Sequence, residues 1–486
     1  MACGVFPVSV GGAIVRGILR FHPIVVWSSP VSSSTPPAIT DLQRTLSGAV
    51  VLPADSGYDA ARSAWNLTVD QRPVAVVTPA DVDEVRAVLA AAAASGLGVT
   101  VQPNGHGANG SLEGVVLIRP TAFDEITLDQ ETRTARVGAG VNWGRVLTAL
   151  DGTGLVALAG SNPEVNTVGY SIGGGHSMFS RAYGLASRSV TAVELVDAGG
   201  EARRVTASSD PELFWALRGG GGLFGVITAI EFALHPADTL FGGSIVFPIT
   251  VGIDAIVTGF DLAAVDPTLG LDISLARFPD MPQLPPPLRG QTIASVAFVH
   301  IGDAASAAPI VDRLRSIGTP LLDGLTSFTI GGLAAVAAEP TDPMPTVDWG
   351  GAVDGFDRAT ATEFVGAFLA GVEGGLSRVS VRPLGGAIAA DPDVDDAAIG
   401  ALDAQALISS GVLAFTPEMA AGADAALEPL RRFAAAHPTT GMVPTFLGSG
   451  TGLADAFDAG ALDRLRAVKD RVDPGGLIRS NRALPE

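Results

Sequence analysis

The sequence predicts an α+β protein: a first unit of alternating helices and strands broken by glycine-rich loops, then a mainly antiparallel sheet covered by helices. Three observations predict it. The chain has 486 residues, room for about two or three domains with a large core. Residues 78–118 read as a helix followed by short strands. From about residue 240 the texture changes, with strand-like SIVFPIT, TLGLDISLARF, TIASVAFVHIG and RVSVRPLGGAI separated by helix-like APIVDRLRSIG and ATEFVGAFLAGVE.

Taken in order, residues 1–38 differ from the rest. Arg16 and Arg20 precede a short apolar stretch, Ile24 to Trp27, and a Ser/Pro-rich run. A secretory signal needs an uninterrupted apolar core, and His22 and Pro23 interrupt this one. The expectation is a disordered leader and a cytoplasmic protein. No apolar run reaches the ~20 residues of a membrane span. After Thr78-Pro79, DVDEVRAVLAAAAASG places Val82, Val85, Val88, Leu89 and Ala92 on one helical face, with Gly96 as the stop. Strands are expected at 99–101, 115–118 and 134–137, and a helix at 143–150. A glycine-rich loop follows from Gly160 to Gly175. Residues 190–196 and 203–205 form a hairpin around Asp197-Ala198-Gly199-Gly200. PELFWALRGG is a helix leading into a strand over 223–232, and LDRLRAVKDRVDPGG is a last helix stopped at Asp473-Pro474-Gly475.

Composition excludes several chemistries. Fifty acidic against 30 basic side chains give a net charge of −20, which argues against a nucleic-acid or anionic-membrane partner. The single cysteine, Cys3, excludes an intramolecular disulfide, a zinc ribbon and a CxxC redox centre; no metal site is expected. Lys469 is the only lysine, leaving almost no room for a Schiff base. Sixty glycines are the unusual feature.

Three short motifs compete. Gly220-Gly221-Gly222-Leu223-Phe224-Gly225 fits GxGxxG, but a helix leads in and a strand leads out, the reverse of a dinucleotide fingerprint. Gly169-Tyr170-Ser171-Ile172-Gly173 fits the GxSxG nucleophile elbow, which leaves a serine hydrolase as a remote alternative. Gln102-Pro103-Asn104-Gly105-His106-Gly107 puts a histidine between glycines on a loop just past a strand, among backbone N–H groups free to bind anions.

Five stretches carry a wider resemblance: 72–107, 132–150, 160–201, 210–234 and 467–481. In order and spacing they resemble the FAD-linked oxidases of the vanillyl-alcohol-oxidase, or PCMH, type, in their berberine-bridge-enzyme-like branch. The resemblance implies a two-subdomain FAD-binding domain over 39–238, a substrate domain over 239–440 and a return segment over 441–486. It implies FAD as cofactor, with the pyrophosphate on Gln102, Pro103, Asn104, Gly105, His106 and Gly107. The flavin and ribityl chain would pass Gly160, Ser161, Val165, Val168, Gly169, Ser171, Gly173, Gly174 and Gly175. Gly225, Val226 and Ile227 would meet the adenine, and Asn481 belongs to the same set. His106 matches the histidine that relatives bond covalently to the flavin. Val165 stands where some relatives carry a second, cysteine linkage, so one covalent bond is expected. Backbone N–H groups, approached closely at glycine, would then supply the counter-field in so acidic a chain.

Two departures bear on activity. The Tyr-x-Asn pair of relatives matches Val443 and Thr445, and the asparagine after the glycine run matches Leu223. With the usual tyrosine base absent, Tyr170, His176 and His300 are the candidate catalytic groups. The expected function is hydride transfer from a small alcohol, sugar or secondary metabolite, with oxygen as electron acceptor. A flavin-binding protein with lost or altered turnover is the alternative.

Overall fold

The computed structural model describes residues 35–389 and 396–485. Residues 1–34, and with them nearly all of the expected leader, lie outside this description. The leader's last residues do not: Pro37–Thr45 is a helix that buries Ile39 and Leu42.

The first sheet has four strands in the order Ala49–Val51, Ala75–Thr78, Val115–Ile118, Gly98–Val101. The last three are parallel, so the chain must cross over between 78 and 98, and helix Val82–Ala94 makes that crossing. Asp81 caps it by accepting from the Glu84 N–H. Its apolar face, Val85, Val88, Leu89 and Ala92, packs on Val77, Val99 and Val116 of the sheet.

The second sheet is antiparallel, in the order Ile126–Asp129, Thr134–Gly138, Val226–Ala233, Val190–Val196, Ala202–Val205. Helices Trp143–Leu150 and Pro211–Leu217 supply Trp143, Leu147, Phe214 and Trp215 to its core. The hairpin at 190–205, the helix at 143–150 and the strand after the 219–222 glycines fall where the sequence places them. The stretch 160–175 does not stay a loop throughout. Thr167–Ile172 is a short helix because Asn166 caps it, accepting from the Gly169 N–H.

The third sheet has eight strands, all antiparallel: Leu322–Asp323, Leu240–Pro248, Thr292–Ile301, Gly270–Arg277, Arg378–Pro383, Ala406–Leu413 and Thr346–Val353 in order, with Thr326–Phe328 also pairing on Leu240–Pro248. Alternation along the strands gives it two different faces. Ile273, Leu275, Val379, Val381, Ile408 and Val412 pack under helices Gly252–Val265, Arg358–Glu373 and Pro417–Ala436. The opposite face carries Asp272, Ser380, Arg382, Ser409 and Asp348 and turns toward the first two sheets.

After helix Ala459–Val472 the chain returns to the first sheet. Ile478 bridges in parallel to Val99, with Val99 donating to Leu477 O at 2.8 Å. The lone lysine holds this return: Lys469 Nζ donates to Leu223 O and Ile478 O, each at 2.7 Å, and pairs with Asp473. Among the described residues no helix is long and apolar enough to cross a membrane.

Candidate functional site

A cleft of about 580 Å³ lies between the first two sheets and the polar face of the third. Loop 102–107, residues 160–173 and glycines 219–222 form one wall; strands 346–349, 378–382 and 409–413 and segment 444–447 form the other.

Loop 102–107 follows directly from strand Gly98–Val101 and is fixed on several sides. Gly105 has φ +82°, and a Cβ there would stand 2.8 Å from Ala64 Cβ, so only glycine fits. Trp65 N–H donates to Asn104 O at 2.8 Å. Asn104 Nδ2 donates to Asn142 Oδ1 at 2.9 Å, and Asn481 Nδ2 to Gly107 O at 2.6 Å. Arg119 is the buried anchor. It donates to Gln102 O at 2.7 Å, Gln102 Oε1 at 3.1 Å, Ala61 O at 3.2 Å and Ser63 O at 2.8 Å. Burial pulls its guanidinium down to about 10.

His106 projects from this loop against Trp65, ring centroids 4.3 Å apart and planes 15° from parallel. Its Nε2 is buried without a hydrogen-bond partner, and burial lowers its pKa to about 4. The imidazole is therefore neutral near pH 7, with a ring nitrogen carrying a free lone pair.

Gln102, Pro103, Asn104, Gly105, His106, Gly107, Gly160, Ser161, Val165, Gly169, Gly173 and Asn481 all line the cleft. Val168, Ser171, Gly174, Gly175, Gly225, Val226 and Ile227 do not. Val168 and Ser171 are buried on helix Thr167–Ile172. Gly174 and Gly175 serve packing: a Cβ on Gly175 would lie 2.5 Å from the Tyr170 ring, and one on Gly174 2.9 Å from Val443. Val226 and Ile227 pair with Val196 and Leu195 in the second sheet, and Gly225 abuts Val196 O. The glycines that reach the cleft are Gly219 to Gly222, just before that strand. The cleft is also less poor in cations than composition suggests, since Arg378, Arg382, Arg479 and Arg482 line it.

Of the candidate catalytic groups, Tyr170 and His176 line the cleft and His300 does not. On strand Thr292–Ile301, Val296 and Phe298 face the helix-covered core and Ala297 and Val299 the cleft-side core. Alternation therefore puts His300 on the helix side, where it bonds Ser306 Oγ at 3.0 Å. Tyr170 packs edge-on to Trp143 at 5.6 Å, and burial pushes its hydroxyl pKa up, keeping it protonated. Burial lowers His176 to about 3. Ser171 lies inside a helix rather than at a strand-to-helix turn, so it forms no nucleophile elbow.

Several cleft residues went unanticipated. Arg382 Nε donates to Asp272 Oδ2 at 2.7 Å, and its guanidinium stands 5.2 Å from the Phe446 ring centroid. Glu339 accepts from Ser161 Oγ at 2.6 Å. Asp348, half-buried, accepts from Thr346 Oγ1 at 3.1 Å, and burial pushes its carboxyl up to about 6. Behind the cleft a chamber of about 10 Å³ is lined by Ser161, His176, Asp272 and Arg382 among others. Among the described residues no three His, Cys, Asp or Glu side chains are grouped as metal ligands.

Residues 73–206 match the family described as FAD binding domain. The chain is 28% identical over 306 residues to (R)-6-hydroxynicotine oxidase of Paenarthrobacter nicotinovorans, covering 61% of this chain and 64% of that protein. It is 31% identical over 180 residues to xylooligosaccharide oxidase of Thermothelomyces thermophilus, 36% of each chain. The alignments thus span less than two thirds of these relatives. The fold matches a variant of BBE-like 1 from Physcomitrella patens with a TM-score of 0.79 and 18% identity, over 92% of this chain and 99% of that one. With a match to an FAD binding domain in its first half and this architecture around one cleft, the chain is similar to FAD-linked oxidases, and its fold is that of the BBE-like proteins.

Proposed function

We propose that the protein is an FAD-dependent oxidoreductase that removes a hydride and a proton from a small alcohol, amine or sugar, with oxygen as electron acceptor and FAD bonded covalently to His106. The observation that carries this reading is the neutral, unpartnered ring nitrogen of His106, set on a glycine-rich loop in the wall of the cleft. A buried polar atom left unpaired costs about 1–3 kcal/mol, and a covalent bond to the flavin removes that cost. The residues fit the cofactor in other respects. The cleft lies within the ~300–1,000 Å³ of small-molecule and cofactor sites. Residues 102–107 and Gly219 to Gly222 border it, and Arg479 lines it as a cation for a pyrophosphate.

Bound FAD supplies the two-electron acceptor. The chain's own residues do the rest. Loop 102–107 and Asn481 hold one wall in place, Tyr170 keeps an O–H donor in the cleft, and the polar face of the third sheet meets the substrate. The two relatives named above, a 6-hydroxynicotine oxidase and a xylooligosaccharide oxidase by name, set the substrate range to try. Anaerobic mixing of the purified yellow protein with (R)-6-hydroxynicotine, xylooligosaccharides, glucose and simple alcohols tests the reading. Bleaching of the flavin band by one of them supports it; a colourless protein that takes up no added FAD defeats it. A flavin-binding protein without turnover is the second reading, favoured by Val443, which is fully buried where relatives carry a tyrosine. Colour without bleaching by any compound favours that reading.

A further inference from the structure

We infer that Asp348 is the group that takes the substrate's O–H or N–H proton in this cleft. The inference rests on the oxidoreductase reading above and names the residue that completes it. Among the described residues two carboxylates line the cleft, Glu339 and Asp348. Glu339 lies outside the third sheet, on the segment after helix Leu333–Ala337, and accepts from Ser161 Oγ. The buried carboxylate behind the cleft, Asp272, is clamped by Arg382, which together with Arg378 holds it below the usual carboxylate range despite burial.

Asp348 is placed differently. It lies on strand Thr346–Val353, in register with Gly411, which is in turn in register with Arg378. The neighbour on its sheet face is thus a glycine. A Cβ at position 411 would stand 2.7 Å from Asp348 Oδ1, so the carboxylate leans over the bare backbone. Segment 446–449 closes the other side with backbone: Ser449 N–H donates to Asp348 O at 2.9 Å. The charged groups around it are Arg378 and Arg382 two strands away, Glu339 and Asp342 on the preceding segment, and Arg482 behind Leu447 and Gly448, whose carbonyls it binds. Among the described residues none forms an ion pair with Asp348. One hydroxyl, Thr346 Oγ1, is its partner. A carboxylate desolvated in this way, without a cation, holds a proton more tightly than an exposed one. Its value of about 6 brings it toward the range where a general base works best.

The step balances. The substrate X–H proton goes to an Asp348 oxygen, the hydride of the adjacent C–H goes to bound FAD, and the substrate leaves as C=O or C=N, oxidised by two electrons while FAD is reduced by two. The Asp348 proton then passes to solvent.

The test has two arms. The first needs no substrate. An acid whose folded pKa is raised above its unfolded value of 3.8 costs stability as pH rises through that interval. Asp348→Asn holoprotein should therefore gain more in Tm over wild type at pH 8 than at pH 4. An equal gain at both, or a loss at pH 8, overturns the placement of the carboxyl. The second arm uses the first panel compound that bleaches the flavin anaerobically. Wild-type reduction should rise with pH to a plateau above about 6. Asp348→Asn should fall by ~10²–10⁴-fold with its flavin spectrum intact, and Asp348→Glu should recover part of the loss. Thr346→Val should move the profile to higher pH, because its hydrogen bond favours the ionised form. Reduction by Asp348→Asn within tenfold of wild type overturns the assignment. If no compound bleaches the flavin, the oxidoreductase reading fails, and the first arm still decides whether Asp348 has the proton affinity the role needs.

Discussion

His106 and Asp348 are tuned in opposite directions by the same physical cause. Burial disfavours charge, so the imidazole loses its proton affinity, to about 4, and the carboxyl gains it, to about 6. Both are therefore less charged near neutrality than their exposed counterparts. For His106 this predicts chemistry rather than titration: His106→Ala protein should still bind FAD but release it entirely on denaturation, read as flavin in the supernatant after acid precipitation. Colour kept in the pellet would mean another attachment point. His176, pulled down to about 3, predicts an acid effect of the opposite sign to that of Asp348. The unfolded chain takes up a proton near pH 6.5 that the folded chain refuses, so this site loses stability as pH falls below that value. His176→Phe should accordingly lose less Tm than wild type between pH 7 and pH 5. His106 was legible in the sequence because its signal is local, a histidine among glycines just past a strand. Asp348 was not. Its surroundings come from Gly411 and from segment 446–449, which only folding brings to it.

At the level of elements, loop 102–107 depends on a residue that its own sequence does not contain. Arg119, one strand away, donates to carbonyl oxygens of Gln102, Ala61 and Ser63. Arg119→Met would leave several buried acceptors unpaired. We expect a loss of about 2–4 kcal/mol in urea unfolding, together with weaker FAD binding; a change below about 0.5 kcal/mol would show that the loop stands without it. Helix Val82–Ala94 was readable because helical spacing marks it, and the strand at 115–118 because it is a short continuous apolar run, VVLI, buried throughout. Strand Thr346–Val353 was missed: TVDWGGAV carries an aspartate and two glycines, and its neighbours across the sheet rather than its composition make it a strand. The glycine runs show the same limit. Gly175 and Gly221 look alike in sequence, yet the first packs on Tyr170 and the second borders the cleft.

Across the whole molecule, the cleft is closed by chain from both ends of the sequence. Asn481 reaches back to Gly107, and Lys469 fixes the return by bonding Leu223, Asp473 and Ile478. Lys469→Met should free residues 474–485, with faster carboxypeptidase trimming. In a His106→Ala background, where binding is reversible, it should weaken FAD affinity by about tenfold, or 1.4 kcal/mol. Unchanged trimming and affinity would make the return segment incidental to the site. The helix-covered antiparallel sheet of the second half was legible from texture alone, whereas the polar residues on its other face were not. That face joins strands more than 100 residues apart, Asp272 to Arg382 for example. The account as a whole turns on FAD lying in this cleft against His106. The most direct measurement is the mass of tryptic peptide 87–133, which contains His106 because Arg119 is followed by Pro120. The account predicts that this peptide carries the added mass of a flavin, with fragmentation placing it on His106. An unmodified peptide from a protein that carries no flavin would contradict it.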